Sequence, residues 1–356
     1  MPINIRAWPK ERNRRENPYN YLVYNEFSDQ AQVEEFDYRS FALKGADILH
    51  VHWPDRILDD KRKWRLVWRF NRFLKAVDKL QNQGGKLVWT VHNLHSREVQ
   101  FPDTASQLLK CFIDKVDGFI FLSDISRELF KAKYSMKTRA VYAVIPHPHY
   151  RSVYQHLVIS EARKNLTILG EKFVLGFFGK IRKNKGLETL ISCLGDSSVE
   201  DIRLLIAGGR DKRGLSQQLL DYMENTPEAL AYIRYIAPEE VGAIIGACNA
   251  LIFPYIDILN SGSALLALSL NRPVIAPSVG SFPELQAQVG KDWVYLYEQP
   301  LDPKKLEKAL AWAKNINLNN NNQPDLAFYD PAFISNMTEK FFYKVLGNRE
   351  KHVKTH

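Results

Sequence analysis

Short apolar runs alternate with longer amphipathic stretches along most of the chain. The runs are rich in β-branched and aromatic residues and predict strands, whereas the stretches repeat apolar residues every three or four positions and predict helices. Apolar strands joined by helical crossovers indicate a parallel sheet that is covered on both faces. In the first half, the predicted strands are 47–52, 86–92, 118–123 and 140–146, and the predicted helices are 61–81, 104–114 and 125–133.

The same alternation starts again after a polar stretch at residues 152–170. Two such series in succession predict an α/β fold with two doubly wound, Rossmann-like domains that face a cleft. We place the first domain at 1–160, the second at 161–330, and a last helical segment at 331–356 that packs back toward the first domain. In the second half, the predicted strands are 173–178, 202–207, 232–236, 250–254, 273–276 and 293–297, and the predicted helices are 186–193, 214–223, 238–247, 263–270, 282–289, 303–315 and 330–346.

The composition fits a folded chain with two domains of ordinary size. Its 356 residues are 45% hydrophobic and 25% charged, which excludes a disordered, collagen-like or small disulfide-linked protein. No signal peptide is predicted at the charged N-terminus, and no apolar run reaches the length of about 18 residues that predicts a transmembrane helix. The three cysteines are widely spaced and suggest neither a disulfide framework nor a zinc cluster, so a cytoplasmic protein is expected.

Positive charge is concentrated in the first half of the chain. Of a formal net charge of +9, residues 1–150 carry 25 Lys and Arg against 18 Asp and Glu, but no DNA- or RNA-binding motif accompanies them. The predicted helix 61–81 combines two tryptophans with many cations, which suits an anionic membrane surface. The alternative is that its aromatic stripe packs on the first sheet. The stripe is Trp64, Val67, Trp68, Leu74 and Val77, and the cations between are Arg65, Arg69, Arg72 and Lys79.

A basic loop bounded by glycines follows the first strand of the second series. Its cations are Lys180, Arg182, Lys183 and Lys185, between Gly179 and Gly186. Because a helix is predicted to open at the end of the loop, cations and free backbone N–H groups are aimed at one point outside the sheet edge. The loop is therefore predicted to bind a diphosphate, although it matches neither the P-loop nor the dinucleotide-binding pattern of glycines.

A second candidate anion site is Ser261-Gly262-Ser263, directly before an Ala- and Leu-rich predicted helix. It also follows a predicted strand, so it is expected at the same edge of the sheet. Serine hydroxyls and unpaired N–H groups at a helix N-terminus bind anions, but a plain helix cap has the same pattern. The sequence leaves both interpretations open.

The order and spacing of these motifs resemble the GT-B glycosyltransferases, specifically glycosyltransferase family 4 and its relatives in bacterial exopolysaccharide and glycolipid synthesis. The resemblance covers most of the chain. The segments that carry it are Gly179–Gly186, Leu204–Gly209, Pro254–Pro277, His50–Pro54, Thr90–Asn93 and Ile145–His147.

The resemblance implies a hexosyltransferase that moves a sugar from a nucleotide-diphosphate sugar of the UDP or GDP type to a saccharide or lipid-linked saccharide acceptor. The second domain would bind the donor and the first the acceptor, on the inner face of the membrane. Fixed cations would stabilise the charge that develops on the leaving diphosphate, and neither a metal nor another cofactor is implied. The implied residues are His92, which contacts the transferred sugar, and Gly179, Lys180, Arg182, Lys185, Ser261, Gly262 and Ser263, which bind the donor.

Two departures from the family pattern concern the donor and the acceptor. The family commonly carries two glutamates eight positions apart, and the matching residues are Ile258 and Leu266, so the 261–263 segment is expected to take over part of the donor contact. The family's glycine-rich loop after the first strand is missing, since the first glycine is Gly45. Asn17-Pro18-Tyr19 stands in that region, which predicts an altered acceptor-side loop and a shortened first strand.

Histidines lie at the ends of the first-domain strands. His50 and His52 share one face of a predicted strand, and His92 ends the next. Zinc is the poorer interpretation because no third ligand follows at metal spacing, and a buried structural role stays open for His50. His147 and His149 either line the cleft or fix a turn. No general base is assigned: in a retaining reaction the leaving phosphate takes the acceptor proton, and in an inverting one a first-domain Asp, Glu or His does.

Two other functions stay open at this point. An epimerase on the same fold would act on the donor alone, but a soluble substrate needs no basic aromatic helix. A non-catalytic GT-B scaffold fits the loss of both glutamates, but it does not explain the cations of the glycine loop.

Overall fold

The computed structural model describes residues 2–37, 43, 45–58, 60–94, 99–197, 200–210, 214–226, 229–318 and 322–347. The chain divides into two compact units. Unit 1 consists of Met1–Pro148 and Tyr329–His356, and unit 2 consists of His149–Phe328. The chain therefore enters unit 2 after Pro148 and leaves it after Phe328.

Unit 1 is a parallel sheet with helical crossovers. Within the described residues the sheet has six strands in the order β2-β1-β3-β4-β5-β6, so the direction of winding reverses between β1 and β3. Its elements are β1 (Ile3–Trp8), α1 (Tyr19–Tyr24), β2 (Ala31–Glu35), β3 (Ile48–Val51), α2 (Asp55–Leu58), α3 (Lys63–Asn82), β4 (Lys86–Val91), α4 (Pro102–Ile113), β5 (Gly118–Phe121), α5 (Asp124–Lys133) and β6 (Val141–Val144).

Unit 2 repeats this architecture with another strand order. Its six described strands run β12-β11-β10-β7-β8-β9, and the winding reverses between β7 and β10. Its elements are α6 (Ile159–Asn165), β7 (Phe173–Phe178), α7 (Leu187–Gly195), β8 (Ile202–Ala207), α8 (Gln217–Asn225), β9 (Leu230–Tyr232), α9 (Pro238–Gly246), β10 (Ala250–Ile252), α10 (Gly262–Ser269), β11 (Val274–Pro277), α11 (Phe282–Val289), β12 (Val294–Tyr297) and α12 (Pro303–Lys314).

The last helix, α13 (Pro331–Val345), packs on the sheet of unit 1. Ile334 and Phe342 are fully buried among Ile48, Val88 and Ile120. A methyl group at Gly118 on β5 would meet the Val345 side chain, so the absence of a side chain there lets the helix approach the strand. Unit 1 is thus completed by residues from the far end of the chain.

Continuous apolar strands form these sheets because both faces are covered. All four residues of β3 and of β5 are buried, as expected of central parallel strands between two helical layers. Helix α3 closes one face with residues three and four positions apart. Its buried residues are Leu66, Phe70, Phe73, Leu74, Val77 and Leu80.

The predicted α/β class is confirmed, and several element predictions are corrected. Strand β1 has six residues, as many as β4 or β7, so the prediction of a shortened first strand is wrong. The stretch 152–170 contains helix α6. The strand expected at 232–236 lies at Leu230–Tyr232, because its pairing with Leu205–Ala207 of β8 fixes the register.

Candidate active site

The glycine loop and the 261–263 segment lie at the point where the winding of the unit 2 sheet reverses. Gly179 directly follows β7, and Phe253 directly follows β10, its neighbour. The Ile256 backbone N–H donates to the Asn184 carbonyl oxygen at 3.1 Å and ties the two loops together. Doubly wound sheets bind ligands at such a position, outside the carboxyl ends of the strands.

Gly186 joins the basic loop to helix α7. A 3₁₀ turn (Lys183–Lys185) precedes it, and Gly186 has a φ of +68°, a left-handed conformation that glycine adopts without a side-chain penalty. A Cβ at this position would overlap the Pro254 carbonyl oxygen. Glycine therefore lets the loop pack directly on the backbone that follows β10.

Tyr255 links the two loops through its side chain. Its ring is 1% exposed, and Lys185 Nζ lies 3.4 Å from the ring centroid in a cation–π contact. Its hydroxyl hydrogen-bonds Ser261 and Ser263, and burial raises the pKa of Tyr255 above its ordinary value. One buried ring thus positions a cation of the first loop and both serines of the second.

The hydroxyls and the helix N-terminus are close to the end of β7. Ser261 caps α10, and its Oγ accepts a hydrogen bond from the Ala264 N–H at 3.2 Å. A Cβ on Gly179 would lie 3.2 Å from Ser263 Oγ. A cation, two hydroxyls and a helix N-terminus beside a bare backbone form an arrangement suited to a diphosphate.

The structure therefore brings together four of the residues predicted to bind the donor, Gly179, Lys185, Ser261 and Ser263, and Gly262 starts the helix that they face. Lys180 is exposed on the loop, and Arg182 is half-buried at the start of the 3₁₀ turn. Tyr255 is the functional residue that sequence reasoning missed. It lies in the Pro254–Pro277 segment that carries the family resemblance, but the sequence alone assigned it no role.

One position of the expected glutamates, Leu266, belongs to the core of unit 2. Leu266 is 6% exposed in the apolar helix α10. The nearby Arg272 is 2% exposed, and its guanidinium donates to the Gly246 and Leu157 carbonyl oxygens at 2.7 and 3.0 Å. It thereby satisfies the last carbonyl of α9 and a carbonyl of the segment before α6. This cation belongs to the core of unit 2.

In unit 1, a chain of hydrogen-bonded side chains crosses the point where the winding reverses. Tyr24 on α1 has its hydroxyl 2.6 Å from His50 Nδ1 and 2.7 Å from His52 Nε2. His50 Nε2 lies 2.8 Å from Thr90 Oγ1, and His52 Nδ1 lies 3.1 Å from His92 Nε2. The order along the chain is thus Thr90, His50, Tyr24, His52 and His92.

Aromatic rings enclose the His92 end of this chain. Trp53 stacks on the His92 ring with centroids 4.4 Å apart, and Tyr19 meets it edge-on at 4.8 Å. Tyr19 also contacts the ring of His147, whose Nδ1 donates to the Pro148 carbonyl oxygen at 2.8 Å. Tyr19, the last residue of the Asn17-Pro18-Tyr19 segment, thus starts α1 and packs on the histidines.

Burial favours the neutral form of these histidines. It lowers the pKa of His50 to about 3 and that of His147 to about 4. Burial and the neighbouring imidazoles hold the pKa values of His52 and His92 well below their usual range. Among the described residues, no group of three or more His, Cys, Asp or Glu has the arrangement of a metal site. The cluster is therefore a set of neutral rings that exchange hydrogen bonds.

Helix α3 presents its two tryptophans to solvent. Trp64 and Trp68 are 67% and 56% exposed, on the face opposite to the buried residues. The prediction that they share one stripe with Val67, Leu74 and Val77 is therefore wrong. Arg72 lies over the Trp68 ring, with its Cζ 5.6 Å from the ring centroid. The exposed cations on the same face are Arg65, Arg72, Lys75 and Lys79.

Comparisons with known proteins relate the chain to glycosyltransferases. Residues 172–314 match the family model "Glycosyl transferases group 1". Over 336 residues, the chain is 27% identical to a GDP-mannose:glycolipid 4-beta-D-mannosyltransferase of Xanthomonas campestris pv. campestris, which covers 94% of this chain and 90% of the relative. Sucrose-phosphate synthase of Thermosynechococcus elongatus has a similar structure, with a TM-score of 0.71 at 16% identity over 98% of this chain and 100% of that one. The structure of HepE of Anabaena in complex with UDP has a TM-score of 0.63 at 14% identity and covers 97% of this chain and 100% of that one.

The chain thus matches a GT-B glycosyltransferase of the family 4-like type in its family model, its curated relative and its fold. It is a hexosyltransferase that uses a nucleotide sugar, which confirms the fold class and the enzyme class expected from the sequence and sets aside the scaffold and the epimerase. The matched segment 172–314 contains every residue predicted to bind the donor.

Proposed function

We propose that the chain transfers a hexose from a GDP-sugar, with GDP-mannose as the first candidate, to a glycolipid acceptor without the help of a metal ion. The observation that carries the proposal is the paired loop structure after β7 and β10, where Lys185, Tyr255 and the two serines converge. The relative that acts on GDP-mannose and a glycolipid aligns with 94% of the chain, including both units.

In this proposal, Lys185, Arg182 and Lys180 bind the donor diphosphate together with the N-terminus of α10. The departing diphosphate gains negative charge as the sugar–phosphate bond breaks, so fixed cations and N–H groups stabilise the transition state more than the ground state. The two serines replace part of the contact that glutamates make in the family. His92 contacts the transferred sugar, and unit 1 binds the acceptor.

Thermal unfolding in the presence of nucleotides tests the donor assignment. GDP and GDP-mannose are expected to raise the Tm in EDTA, since a ligand at 100 times its Kd adds about 2.7 kcal/mol to the free energy of unfolding. UDP and UDP-glucose are measured under the same conditions as comparison ligands. A shift with UDP and none with GDP would replace the GDP-sugar by a UDP-sugar, and a shift that requires Mg²⁺ would contradict metal independence.

Transfer of labelled mannose from GDP-mannose to a lipid-linked saccharide, measured in EDTA, tests the reaction itself. The wild type is expected to label the lipid fraction, and a mixture without acceptor is the control. Release of free mannose at the same rate with and without the acceptor would show that the acceptor is not a substrate.

We also propose that the chain works at the cytoplasmic face of the membrane and binds it peripherally through α3. No helix in the described part of the chain has the length and apolar character needed to cross a bilayer. Exposed Trp64 and Trp68 among cations suit the interface of an anionic membrane, where each basic residue contributes about 1 kcal/mol.

Cosedimentation with phosphatidylglycerol-containing vesicles tests the membrane surface. The double variant Trp64→Ser, Trp68→Ser is expected to lower the bound fraction at least tenfold. The triple variant Arg72→Gln, Lys75→Gln, Lys79→Gln is expected to have an effect of the same size. The matched control is Leu169→Ser, because Leu169 is 77% exposed on unit 2. Unchanged binding of both α3 variants would exclude α3 as the contact.

A further inference from the structure

The side-chain hydrogen bonds of unit 1 form one unbranched path from Thr90 to His92. His50 and His52 are 0% and 1% exposed, and Tyr24 is 7% exposed, whereas His92 is half-buried. At the other end, Thr90 is fully buried and also hydrogen-bonds Tyr19. The path therefore lies inside the unit and reaches partial exposure at His92.

The number of protons on the path restricts which atoms donate and which accept its hydrogen bonds. The Tyr24 hydroxyl lies between two ring nitrogens, at 2.6 and 2.7 Å, and has one proton to donate. When it donates to one imidazole, it accepts from the other, and a neutral imidazole also has one N–H. The tautomers of His50 and His52 are therefore coupled, and the coupling continues to Thr90 and to His92.

Two arrangements give every bond on the path one donor and one acceptor. In the first, Thr90 donates to His50 and all donors point toward His92, which then carries its own proton on Nδ1. In the second, His92 Nε2–H donates to His52 Nδ1, His52 Nε2–H to Tyr24, Tyr24 to His50 Nδ1, and His50 Nε2–H to Thr90. Only the second leaves a lone pair on His92 Nδ1.

The position of His92 Nδ1 decides which arrangement supports the reaction. His92 directly follows β4, and its Nε2 is the nitrogen that faces His52. Its Nδ1 has no hydrogen-bond partner among the described residues. In the second arrangement, this nitrogen accepts a proton from a molecule that approaches the half-buried end of the path.

We propose that Tyr24, His50, His52 and Thr90 are positioning residues that hold His92 as its Nε2–H tautomer, so that His92 Nδ1 accepts the proton of the acceptor hydroxyl during sugar transfer. This inference rests on the proposed function and adds a general base to it. In the second arrangement, the path holds both the ring orientation and the tautomer of His92, as a carboxylate does for the histidine of a hydrolase triad.

In the transfer step, the acceptor and the donor sugar account for every bond that forms or breaks. The acceptor O–H bond breaks and its proton goes to His92 Nδ1. The acceptor oxygen forms a bond to the anomeric carbon of the donor sugar. The bond from that carbon to the diphosphate oxygen breaks, and its electron pair leaves with the nucleoside diphosphate. The Nε2–H of the resulting imidazolium stays hydrogen-bonded to His52 Nδ1.

Nitrogen NMR of the full chain labelled with ¹⁵N-histidine measures the tautomer directly, because protonated and unprotonated ring nitrogens resonate far apart. The chain has nine histidines, and His92→Gln assigns the relevant signals. We expect the wild type to carry the His92 proton on Nε2. A proton on Nδ1 overturns the proposal whether or not the protein transfers mannose. A correct tautomer without transfer from any nucleotide sugar would contradict the proposed function.

Tyr24→Phe removes the hydroxyl in the middle of the path and leaves the ring in place. We expect mixed tautomers at His92, a kcat lower by about 10- to 100-fold and a KM for GDP-mannose within twofold of the wild type, since tautomer control affects the chemical step. Tyr134→Phe is the matched control, because its hydroxyl donates to the Leu94 carbonyl oxygen at 3.1 Å and takes no part in the path. An unchanged kcat in Tyr24→Phe with altered tautomers overturns the proposal.

Thr90 provides a second pair of variants that preserves packing. Thr90→Val keeps the shape of the side chain and removes the hydroxyl, whereas Thr90→Ser keeps the hydroxyl. We expect Thr90→Val to lower kcat and to mix the His92 tautomers, and Thr90→Ser to restore both. Equal kcat values for the two variants would show that Thr90 contributes packing alone and would overturn its positioning role, even if Tyr24→Phe does not fold.

Discussion

The two sheets reverse their winding at equivalent places and present opposite kinds of polar groups there. In unit 2, that position carries glycines, a lysine and serine hydroxyls, and one buried tyrosine contacts the lysine and both serines. In unit 1, it carries buried histidines, a threonine and a tyrosine that are linked in one chain of hydrogen bonds. Topology thus determines where a site forms, and the side chains determine whether it handles charge or protons.

The difference also explains why unit 1 needs a buried network and unit 2 does not. A cation that binds a diphosphate works while partly exposed, because its partner brings the opposite charge. Burial keeps a histidine neutral even below its ordinary pKa of about 6.5, and fixed hydrogen-bond partners decide which ring nitrogen carries the proton. The aromatic residues around His92 supply that burial.

The largest expected effect comes from removing the lysine of unit 2, which tests whether that unit binds the diphosphate. Lys185→Ala is expected to lower kcat/KM for the donor by about 10²- to 10³-fold, the loss typical of one fixed group that stabilises a developing anion. Steady-state transfer assays and thermal unfolding together check this. Lys183→Ala, on the exposed side of the same turn, is the matched control and should change little. Equal effects of the two variants would place the diphosphate elsewhere.

A second variant tests whether the two loops of unit 2 depend on direct backbone contact. Gly186→Ala is expected to lower the free energy of unfolding by about 1–3 kcal/mol and to weaken GDP binding, because a Cβ at φ +68° meets the Pro254 carbonyl oxygen. Urea unfolding and GDP titration measure both effects. Gly195→Ala, in open space at the end of α7, is the control. Equal GDP affinities of the two variants would show that donor binding does not depend on the backbone contact between the loops.

Because of the buried histidines of unit 1, we expect the stability of the two units to depend differently on pH. Their folded pKa values lie below the ordinary value of about 6.5, so the unfolded state binds protons first as the pH falls. Their contribution to stability is therefore complete above about pH 6.5 and decreases below it, by up to about 1.4 kcal/mol per pH unit for each histidine.

Hydrogen exchange at pH 7.5 and 5.5 compares the units within one molecule. After correction for intrinsic rates, the free energy of opening of β3 and β4 is expected to fall more than that of β7 and β8, whose strands carry no histidine. Identical losses in both units would contradict the neutral, buried state of the unit 1 histidines.

The smallest expected effect concerns Tyr255. Tyr255→Phe keeps the ring under Lys185 and removes the hydroxyl, so the affinity for GDP is expected to fall about 3- to 10-fold, close to the value of one or two neutral hydrogen bonds. Tyr255→Leu also removes the cation–π contact and should weaken binding further. Isothermal titration with GDP checks the order. Equal affinities of the two variants would show that the ring does not position Lys185.

The sequence predicted the central strands of both sheets almost to the residue because buried parallel strands are continuous apolar runs. It set no bounds for β1 and did not predict α1 or β2, because the short apolar segments there are separated by charged ones such as Arg12 to Glu16. It predicted the donor-binding segments because cations and glycines have a local spacing. The hydrogen bonds of His50 and His52 to Tyr24 join residues 26 and 28 positions apart, and no local pattern contains that pairing.

Amide hydrogen exchange of the wild-type chain with and without GDP tests the central claim most directly, because it locates the diphosphate in one unit or the other. The account predicts that the strongest protection appears in peptides that cover Gly179–Leu187 and Tyr255–Ala264 of unit 2. Strongest protection at His50–Trp53 and Thr90–Asn93 of unit 1 would contradict it.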